Sequence, residues 1–257
     1  MEATAAERGP FGRRLVYLPE VASTNDLAIR AAEAGEPEGT VFAAGAQTAG
    51  RGRLGRTWVS PPDAGLYVST IIRRQALVPW ITLAGGVAVA EGIQSATGLP
   101  VQIKWPNDVV AVGGQGFRAR RKLAGVLAEA STALDGVQYV ILGFGINLRS
   151  ASFPPDLAGR VTSIEAELGR AIDPGAVLAQ SLVALNRAAD DLVTNGAGGI
   201  VTRWLALAPS AQGASVEWDG PTGIRQGTTA GLASDGALLV RTPAGVERIL
   251  SGEVRWL

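Results

Sequence analysis

The chain has 257 residues, of which 47% are hydrophobic and 18% charged, and its 23 basic residues balance 23 acidic ones. These values are typical of a folded protein with one large domain, or a large and a small one; they exclude a disordered chain and give no overall basic charge that would attract nucleic acid. Because histidine and cysteine are absent, the sequence also excludes His-dependent catalytic triads, His- or Cys-ligated metal sites, disulfides and thiolate nucleophiles.

The N-terminal part of the chain predicts three strands and two helices. We expect residues 1–12 to be loosely ordered. Ser23, with Asp26 three positions later, fits a helix N-cap of the capping-box type, and Gly35 ends that helix. Hydrophobic periodicity then gives strands at residues 14–18, 40–47 and 66–72 and helices at residues 23–34 and 80–97.

The rest of the chain predicts more strands, then helices, then a small β-rich unit. Asp173 can cap a helix that begins at Pro174 and continues to about Leu192, and residues 200–207 predict another. Short apolar β runs precede these helices at residues 101–105, 108–112, 123–129 and 137–143. Five more follow them, at residues 215–219, 223–233, 237–241, 245–250 and 253–257.

This order of elements predicts an α+β fold with a mixed central sheet, helices packed on it, and a small C-terminal β-barrel. We place the domains at residues 1–208 and 209–257, with the barrel docked on the larger domain because about 45 residues would be marginal alone. The N-terminus lacks the apolar core of a signal peptide, and the longest nearly apolar run, residues 81–90, is at most half a membrane span. We therefore expect a cytoplasmic protein without membrane or nucleic-acid partners.

Lysine usage singles out two positions. Of the 23 basic residues, 21 are arginine and two are lysine, Lys104 and Lys122. In a chain that otherwise uses arginine, we infer that these positions need a compact ammonium on a flexible stem, which can follow a moving anion. The alternative is that two lysines persist by chance on a solvated surface.

The segment Gly50-Arg51-Gly52-Arg53-Leu54-Gly55-Arg56 is the strongest local motif. Its glycines free the backbone to surround an anion, and its arginines can bind phosphate or carboxylate through paired hydrogen bonds. Without ligand, three like charges among glycines should repel one another, so we expect a mobile loop that a ligand orders. A solvated arginine-rich turn or a short nucleic-acid patch is the alternative.

Two further motifs lie at strand ends. In Lys104-Trp105-Pro106-Asn107-Asp108, Asn107 can bind a nucleotide, Asp108 can hold an arginine or a hydrated Mg²⁺, and Trp105 is expected in the core. At Lys122, a basic run enters an apolar strand, so its stem can be buried while its ammonium faces a cavity. Gly125 would let a ligand lie flat on that strand. The alternatives are a β-turn and a solvated charge run at residues 118–122.

Taken in order, five motifs resemble those of biotin protein ligases: Ser23-Thr24-Asn25, Gln47 with the glycine–arginine segment through Trp58, residues 104–108, residues 122–125, and Gly143 to Asn147, which we expect to leave a strand through two glycines. The resemblance covers nearly the whole chain and includes the Gly-Glu-Val pattern near Val254. It implies a class II synthetase-like catalytic domain, an SH3-like C-terminal barrel, and a two-step reaction. Biotin and ATP give biotinyl-5′-AMP, and the biotin then passes to a lysine of a biotin carboxyl carrier protein.

The resemblance also implies site residues. Lys122, Arg51 and Arg53 would be catalytic, with Lys122 bridging the carboxylate and the α-phosphate, and Asp108 would be a weak Mg²⁺ contact. Biotin binding would fall to Ser23, Thr24, Asn25, Gln47, Gly50, Arg51, Gly52, Arg53, Lys122, Gly125, Leu127 and Ile146. ATP binding would fall to Arg51, Arg53, Arg56, Trp58, Lys104, Asn107, Lys122 and Asn147.

Some alternatives stay open. The turn at residues 113–121 is longer than is usual in the family, and its basic cluster has no assigned role. Few residues precede the first strand, so we expect no winged helix and no DNA binding. A lipoate protein ligase is the other candidate enzyme, although the polar set around Ser23 favours the ureido group of biotin. A non-catalytic biotin- or nucleotide-sensing module is the candidate from another class, and a homodimer is possible.

Overall fold

The structure is a computed structural model that describes residues 2–112, 120–134, 136–150, 153–155, 157, 159–220 and 223–257. Within these residues the chain forms five α-helices and twelve strands. The helices are α1 Thr24–Glu33, α2 Ile81–Thr97, α3 Ile164–Leu168, α4 Pro174–Asn195 and α5 Ala197–Leu207. The strands are β1 Leu15–Val21, β2 Val41–Gln47, β3 Gly65–Ile72, β4 Val101–Lys104, β5 Asp108–Ala111, β6 Lys122–Ala133, β7 Gly136–Asn147, β8 Gln212–Gly220, β9 Gly223–Leu232, β10 Leu238–Thr242, β11 Gly245–Ile249 and β12 Val254–Trp256.

The larger sheet has seven strands in the order β1-β2-β3-β7-β6-β5-β4. Strands β1 and β2 are parallel, and the other neighbours are antiparallel. Side chains alternate between its faces: Ile141 packs with the residues of α1, whereas the next residue, Leu142, belongs to the main core shared with α2 and α4. The predicted mixed sheet covered by helices is confirmed.

Helix α2 is the centre of the main core. Gly92 allows α4 to approach closely, since a Cβ there would lie 2.3 Å from the Ser181 hydroxyl oxygen. Extended by the 3₁₀ turn Gln75–Trp80, the helix is long and apolar enough to span a membrane, which the sequence estimate from residues 81–90 had not anticipated. Its most apolar stretch is 67% buried, as expected of the core helix of a sheet protein.

The smaller sheet contains the last five strands, in the order β11-β10-β9-β8-β12. It begins after the 3₁₀ turn Pro209–Ala211, close to the domain boundary that we proposed. Its buried residues Val216, Leu238 and Val240 belong to the same cluster as the core around α2. The indole nitrogen of Trp105 also donates to the Gly236 carbonyl oxygen at 3.1 Å. The small sheet therefore docks on the large one, as predicted from its size.

Two predictions about local order were wrong. Residues 2–13 are not loose: Phe11 is fully buried in the main core, and the Arg8 guanidinium donates to its carbonyl oxygen at 2.7 Å. Strand β7 does not end at residue 143 but continues to Asn147, because β3 pairs with it from Val140 to Asn147. The cap of α4 is confirmed, since the Asp173 carboxylate accepts from the Gly175 amide at 2.8 Å. Of the long turn predicted at residues 113–121, residues 113–119 lie outside the described part of the chain.

Candidate active site

One cavity lies on the α1 face of the large sheet, beneath the glycine–arginine segment. Helix α1 supplies its N-terminus, β2 its last residue, and β6 and β7 the floor. The cavity is lined by Ser23, Thr24, Asn25, Gln47, Arg51, Gly52, Arg53, Trp58, Val68, Asn107, Lys122, Gly125, Val126, Leu127, Gly143, Phe144 and Gly145. The structure thus brings together most of the side chains predicted from five separate motifs.

One end of this cavity is uncharged, and we call Ser23, Thr24, Asn25 and Gln47 the neutral end. The Gln47 amide oxygen accepts from the Thr24 backbone N–H at 2.9 Å and from its hydroxyl at 3.1 Å. Ser23 occupies the N-cap position of α1 but makes no side-chain capping bond, so the capping-box prediction was wrong. Its buried hydroxyl lines the cavity instead.

Glycines on β6 and β7 let other groups lie directly on the sheet. A Cβ at Gly143 would lie 2.3 Å from the Asn25 amide oxygen, and one at Gly145 would lie 2.5 Å from the Trp58 indole nitrogen. At Gly125 the nearest atom of Trp58 would be 3.0 Å away. The Trp58 ring thus covers two glycines of the floor, and a side chain at either position would displace it.

The glycine–arginine segment forms a closed loop, residues 50–58. Its base is closed by the Trp58 amide, which donates to the Gly50 carbonyl oxygen at 2.9 Å, and a Cβ at Gly50 would lie 2.4 Å from the Trp58 carbonyl oxygen. Leu54, at the tip, has a left-handed backbone with φ of 56°. Only a loop with glycine at position 50 can close in this way.

Each of the three arginines of the loop contacts a different partner; that a ligand orders the loop stays a prediction. Arg51 contacts Asp26 and Glu129 at 2.8 and 2.9 Å. Arg53 donates to the Asn107 amide oxygen at 3.2 Å, and burial lowers the pKa of its guanidinium, an effect that the charge of Asp108 opposes. Since each arginine has its own partner, their mutual repulsion no longer requires a mobile loop.

Lys122 stands where the sequence placed it, at the start of β6 and on the wall of the cavity. Its backbone is fixed on both sides, by its N–H to the Arg160 carbonyl oxygen at 2.8 Å and by its carbonyl oxygen to the Thr162 N–H at 2.9 Å. The ammonium lies 2.7 Å from the Asp108 carboxylate and 5.0 Å from the centre of the Trp58 ring. We call Arg51, Arg53 and Lys122 the cationic end of the cavity.

Asp108 is occupied by this contact with Lys122, and a metal ion would have to compete with an ammonium for it. Among the described residues there is no group of three or more carboxylates that could hold a metal ion. The donor set present therefore does not fit a resident metal site built by the protein.

Gly50 and Asp108, described above, do not line the cavity, and neither do four other predicted residues. Ile146 is fully buried in the main core, because strand alternation directs it to the face opposite Gly145. Asn147 is buried and donates to the Thr162 carbonyl oxygen at 2.9 Å. Arg56 reaches the C-terminal sheet, 2.6 Å from the Glu253 carboxylate. Lys104 lies 5.0 Å from the centre of the Trp256 ring, and burial lowers the pKa of its ammonium.

The sequence analysis missed residues that support the site without belonging to a motif. The Ser69 hydroxyl on β3 donates to the Asn25 amide oxygen and lies 2.8 Å from the Thr24 hydroxyl. Glu129 on β6 accepts from Asn25 and pairs with Arg51. The alternation of β6 could have found Glu129, because it lies on the same face as Gly125 and Leu127.

Comparison with known proteins gives consistent matches. The model of the biotin/lipoate A/B protein ligase family matches residues 17–147, and that of the biotin protein ligase C-terminal domain matches residues 218–255. The chain is 35% identical over 221 residues to a biotin--[acetyl-CoA-carboxylase] ligase of Paracoccus denitrificans, covering 81% of this chain and 86% of that protein. It is 34% identical over 249 residues to the bifunctional ligase/repressor BirA of Bacillus spizizenii, covering 95% of this chain and 74% of that protein.

Solved structures agree with these sequence matches. The biotin protein ligase from Aquifex aeolicus in complex with biotin and ATP superposes with a TM-score of 0.79 at 30% identity, covering 95% of this chain and 99% of that chain. The similarity therefore extends over both sheets and not only over the cavity.

Proposed function

The chain belongs to the biotin/lipoate A/B protein ligase family, and from that premise we infer that it is a biotin protein ligase, which activates biotin with ATP and transfers it to a protein. The observation that carries this function is the polarity of the cavity, whose neutral end continues into the cationic end. Biotin has the matching polarity, with a neutral ureido group at one end and a carboxylate at the other.

At the neutral end, we assign recognition of the ureido group to Ser23, Thr24 and Gln47. The ureido carbonyl needs donors, and its two N–H groups need acceptors, which hydroxyl and amide side chains supply. The hydroxyl of Ser23 is not used in helix capping, and the Gln47 amide oxygen already receives two donors in this structure. Ligand binding at this end therefore exchanges hydrogen bonds within a set of partners that is already in place.

At the cationic end, we assign the first chemical step to Lys122 and Arg53. A carboxylate oxygen of biotin forms a bond to the α-phosphorus of ATP, and the bond from that phosphorus to the bridging oxygen breaks to release pyrophosphate. Two anions must approach, and repulsion between unit charges ~4 Å apart is about 4 kcal/mol at an effective dielectric near 20. Fixed cations reduce this repulsion and stabilise the charge that develops on the phosphoryl oxygens.

In the second step, the amine of an acceptor lysine attacks the carbonyl carbon of the mixed anhydride. An amide bond forms, AMP leaves, and the amine gives up a proton to solvent. Here the protein contributes mainly by positioning the reactants and by excluding water from the adenylate. We propose that the acceptor is a lysine of a biotin carboxyl carrier protein and that the reaction takes place in the cytoplasm.

Arg56, Trp58, Lys104, Asn107 and Asn147 remain proposals as ATP contacts, and the geometry favours Trp58 and Asn107, which line the cavity. Since the described residues do not fit a resident metal, we propose that Mg²⁺ is bound by the phosphates of ATP. A possible homodimer and the absence of DNA binding stay predictions.

The function is tested by incubating the purified protein with ATP and Mg²⁺ plus either biotin or lipoate. Pyrophosphate release with biotin, together with the mass of biotinyl-5′-AMP in the bound fraction, is the expected result. Release with lipoate alone would assign the chain to the lipoate branch of the family. Binding of biotin without any pyrophosphate would instead make it a sensing module.

A further inference from the structure

Glu129 joins the loop to the floor of the cavity. It lies on β6, on the same face as Gly125 and Leu127, and its side chain is 31% exposed at the edge of the loop. One oxygen of its carboxylate lies 2.9 Å from a terminal nitrogen of Arg51, at the start of the loop. The same oxygen accepts a hydrogen bond from the Asn25 side-chain amide.

From Asn25 the contacts continue into the neutral end. The Asn25 amide oxygen accepts from the Ser69 hydroxyl, which lies 2.8 Å from the Thr24 hydroxyl. Thr24 in turn donates to Gln47 at 3.1 Å. A continuous set of contacts therefore connects the residues assigned to the ureido group with the first arginine of the loop.

The same contacts return to the other end of the loop. The Gln47 amide nitrogen donates to the Ser60 hydroxyl at 3.0 Å, and that hydroxyl donates to the Trp58 carbonyl oxygen at 3.1 Å. Both ends of the loop are thus tied to the polar groups of the neutral end, one through Glu129 and the other through Ser60. If side chains of the neutral end move, these contacts should shift the loop as well.

We propose that Glu129 is a positioning residue that uses Arg51 as the anchor of the loop, so that Arg53 is held over the reacting groups beside Lys122. This inference rests on the proposed function. In this arrangement Arg51 is a structural link between Glu129, Asp26 and the loop, and it is not itself a ligand of the biotin carboxylate or of ATP.

Charge supports this division of roles between the two arginines. Arg51 lies between two carboxylates, Glu129 and Asp26, at 2.8–2.9 Å, so its positive charge is already compensated. To bind an incoming anion, it would have to leave both. Arg53 is partly buried and, among the described residues, forms no ion pair; its side chain donates to the neutral amide of Asn107, and Asp108 acts on it only through its charge. Its charge is therefore available to an anion at less cost.

A double-mutant cycle tests the proposal. Glu129→Gln and Arg51→Gln should each lower kcat/KM for ATP in adenylate formation by about tenfold, and the double variant should be no worse than the poorer single variant, because each change removes the same anchor. The lifetime of the enzyme-bound adenylate should shorten in all three. If the Arg51→Gln loss persists in full in the Glu129→Gln background, Arg51 contacts substrate directly and the proposal is wrong.

A matched control separates this role from simple loss of an ion pair. Glu91 is 29% exposed and pairs with Arg203 between α2 and α5, away from the loop. Glu91→Gln should change thermal stability as much as Glu129→Gln does and leave kcat/KM unchanged. Equal catalytic losses in both variants would reduce Glu129 to a general stabilising residue.

Limited trypsin digestion of the ligand-free protein provides a readout independent of ligase activity. Cleavage at Arg53 and Arg56 should be faster in Glu129→Gln, and in Asp26→Asn as a second variant, than in Glu91→Gln. If the wild type makes no adenylate, the proposed function fails while this comparison still decides the role of Glu129. Unchanged cleavage in Glu129→Gln and Asp26→Asn would overturn the inference even in an active ligase.

Discussion

The two ends of the cavity are built on different physical principles. At the neutral end, buried and partly buried hydroxyl and amide groups bind one another: the Thr24 hydroxyl donates to the Gln47 amide oxygen and lies 2.8 Å from the Ser69 hydroxyl. At the cationic end, ion pairs to partly exposed carboxylates hold the side chains, as with Lys122 and Asp108. Buried neutral networks are rigid and costly to disturb, whereas exposed ion pairs are readily exchanged. We therefore expect the neutral end to determine which acid binds and the cationic end to determine how fast it reacts.

Removing the ammonium of Lys122 should have the largest effect and should act mainly on the rate of adenylate formation. Lys122→Ala is expected to slow adenylate formation by on the order of a hundred- to a thousandfold, since loss of one donor to a developing anion costs about 2.7–4 kcal/mol. Biotin affinity, measured by calorimetry, should change only a few-fold. Pyrophosphate release gives the rate.

Lys104→Ala is the comparison for that variant, because it removes the other lysine of the chain. Its ammonium lies against Trp256 and not on the cavity, so we expect a much smaller loss of rate. Equal losses in the two variants would show that the cationic end extends to the C-terminal sheet.

The floor of the neutral end can be disturbed sterically. In Gly143→Ala, the new methyl group would lie 2.3 Å from the Asn25 amide oxygen, so Asn25 must move. Overpacking of this kind costs about 1–3 kcal/mol, and the dissociation constant for biotin should rise about tenfold or more while kcat changes less. Gly198→Ala is the control, because a Cβ there has no neighbour within 4 Å. A rise in KM for ATP instead of biotin would contradict the division between the two ends.

Sequence reasoning located the residues that we propose act on ligand better than the residues that hold them in place. Lys122, Thr24 and Gln47 lie in short motifs whose residue types suit the chemistry, and the structure brings them to one cavity. The prediction that Ile146 lines the cavity was wrong because β7 continues through the glycines to Asn147. In a continuing strand, Ile146 points to the opposite side of the sheet from Gly145. Glu129 was missed because its partners, Asn25 and Arg51, are 104 and 78 positions away along the chain.

The fold shows the same division. The predicted sheets and long helices are confirmed because their periodicity is local. The order of residues 2–13 was not predictable, since it depends on Phe11 entering a core made by distant elements. The sequence also does not show that the Ser23 side chain makes no capping hydrogen bond, because this depends on the direction in which one hydroxyl points.

A single hydroxyl at the neutral end should have an intermediate effect. Thr24→Val keeps the shape of the side chain but removes the group between Gln47 and Ser69. Leaving such buried partners unpaired costs about 1–3 kcal/mol, and we expect a five- to tenfold weaker affinity for biotin, estimated as roughly 1 kcal/mol of that cost. Thr229→Val, which removes a buried hydroxyl of the small sheet, should lower the melting temperature without changing biotin affinity. Weaker affinity in both variants would trace the effect to global stability.

The smallest effect is expected where the loop meets the segment before β12, at the ion pair of Arg56 and Glu253. Arg56 is 63% exposed, so the pair should contribute no more than about 1 kcal/mol. The hydrogen bond that Glu253 accepts from Arg56 lowers the pKa of the Glu253 carboxyl. A carboxyl whose pKa is lower in the folded protein adds stability above its unfolded pKa, near 4.5, and loses it as the pH falls through the folded value. Glu253→Gln should therefore be slightly less stable than wild type at neutral pH, by thermal unfolding at low salt. This difference in stability should disappear below about pH 4.5 and in high salt.

Glu247→Gln, which breaks the pair with Arg225 in the same small sheet, is the control for catalysis. If only Glu253→Gln also raises KM for ATP, the contact with the loop matters to the cationic end; if both raise it equally, the small sheet acts through its stability and the loop does not depend on this contact.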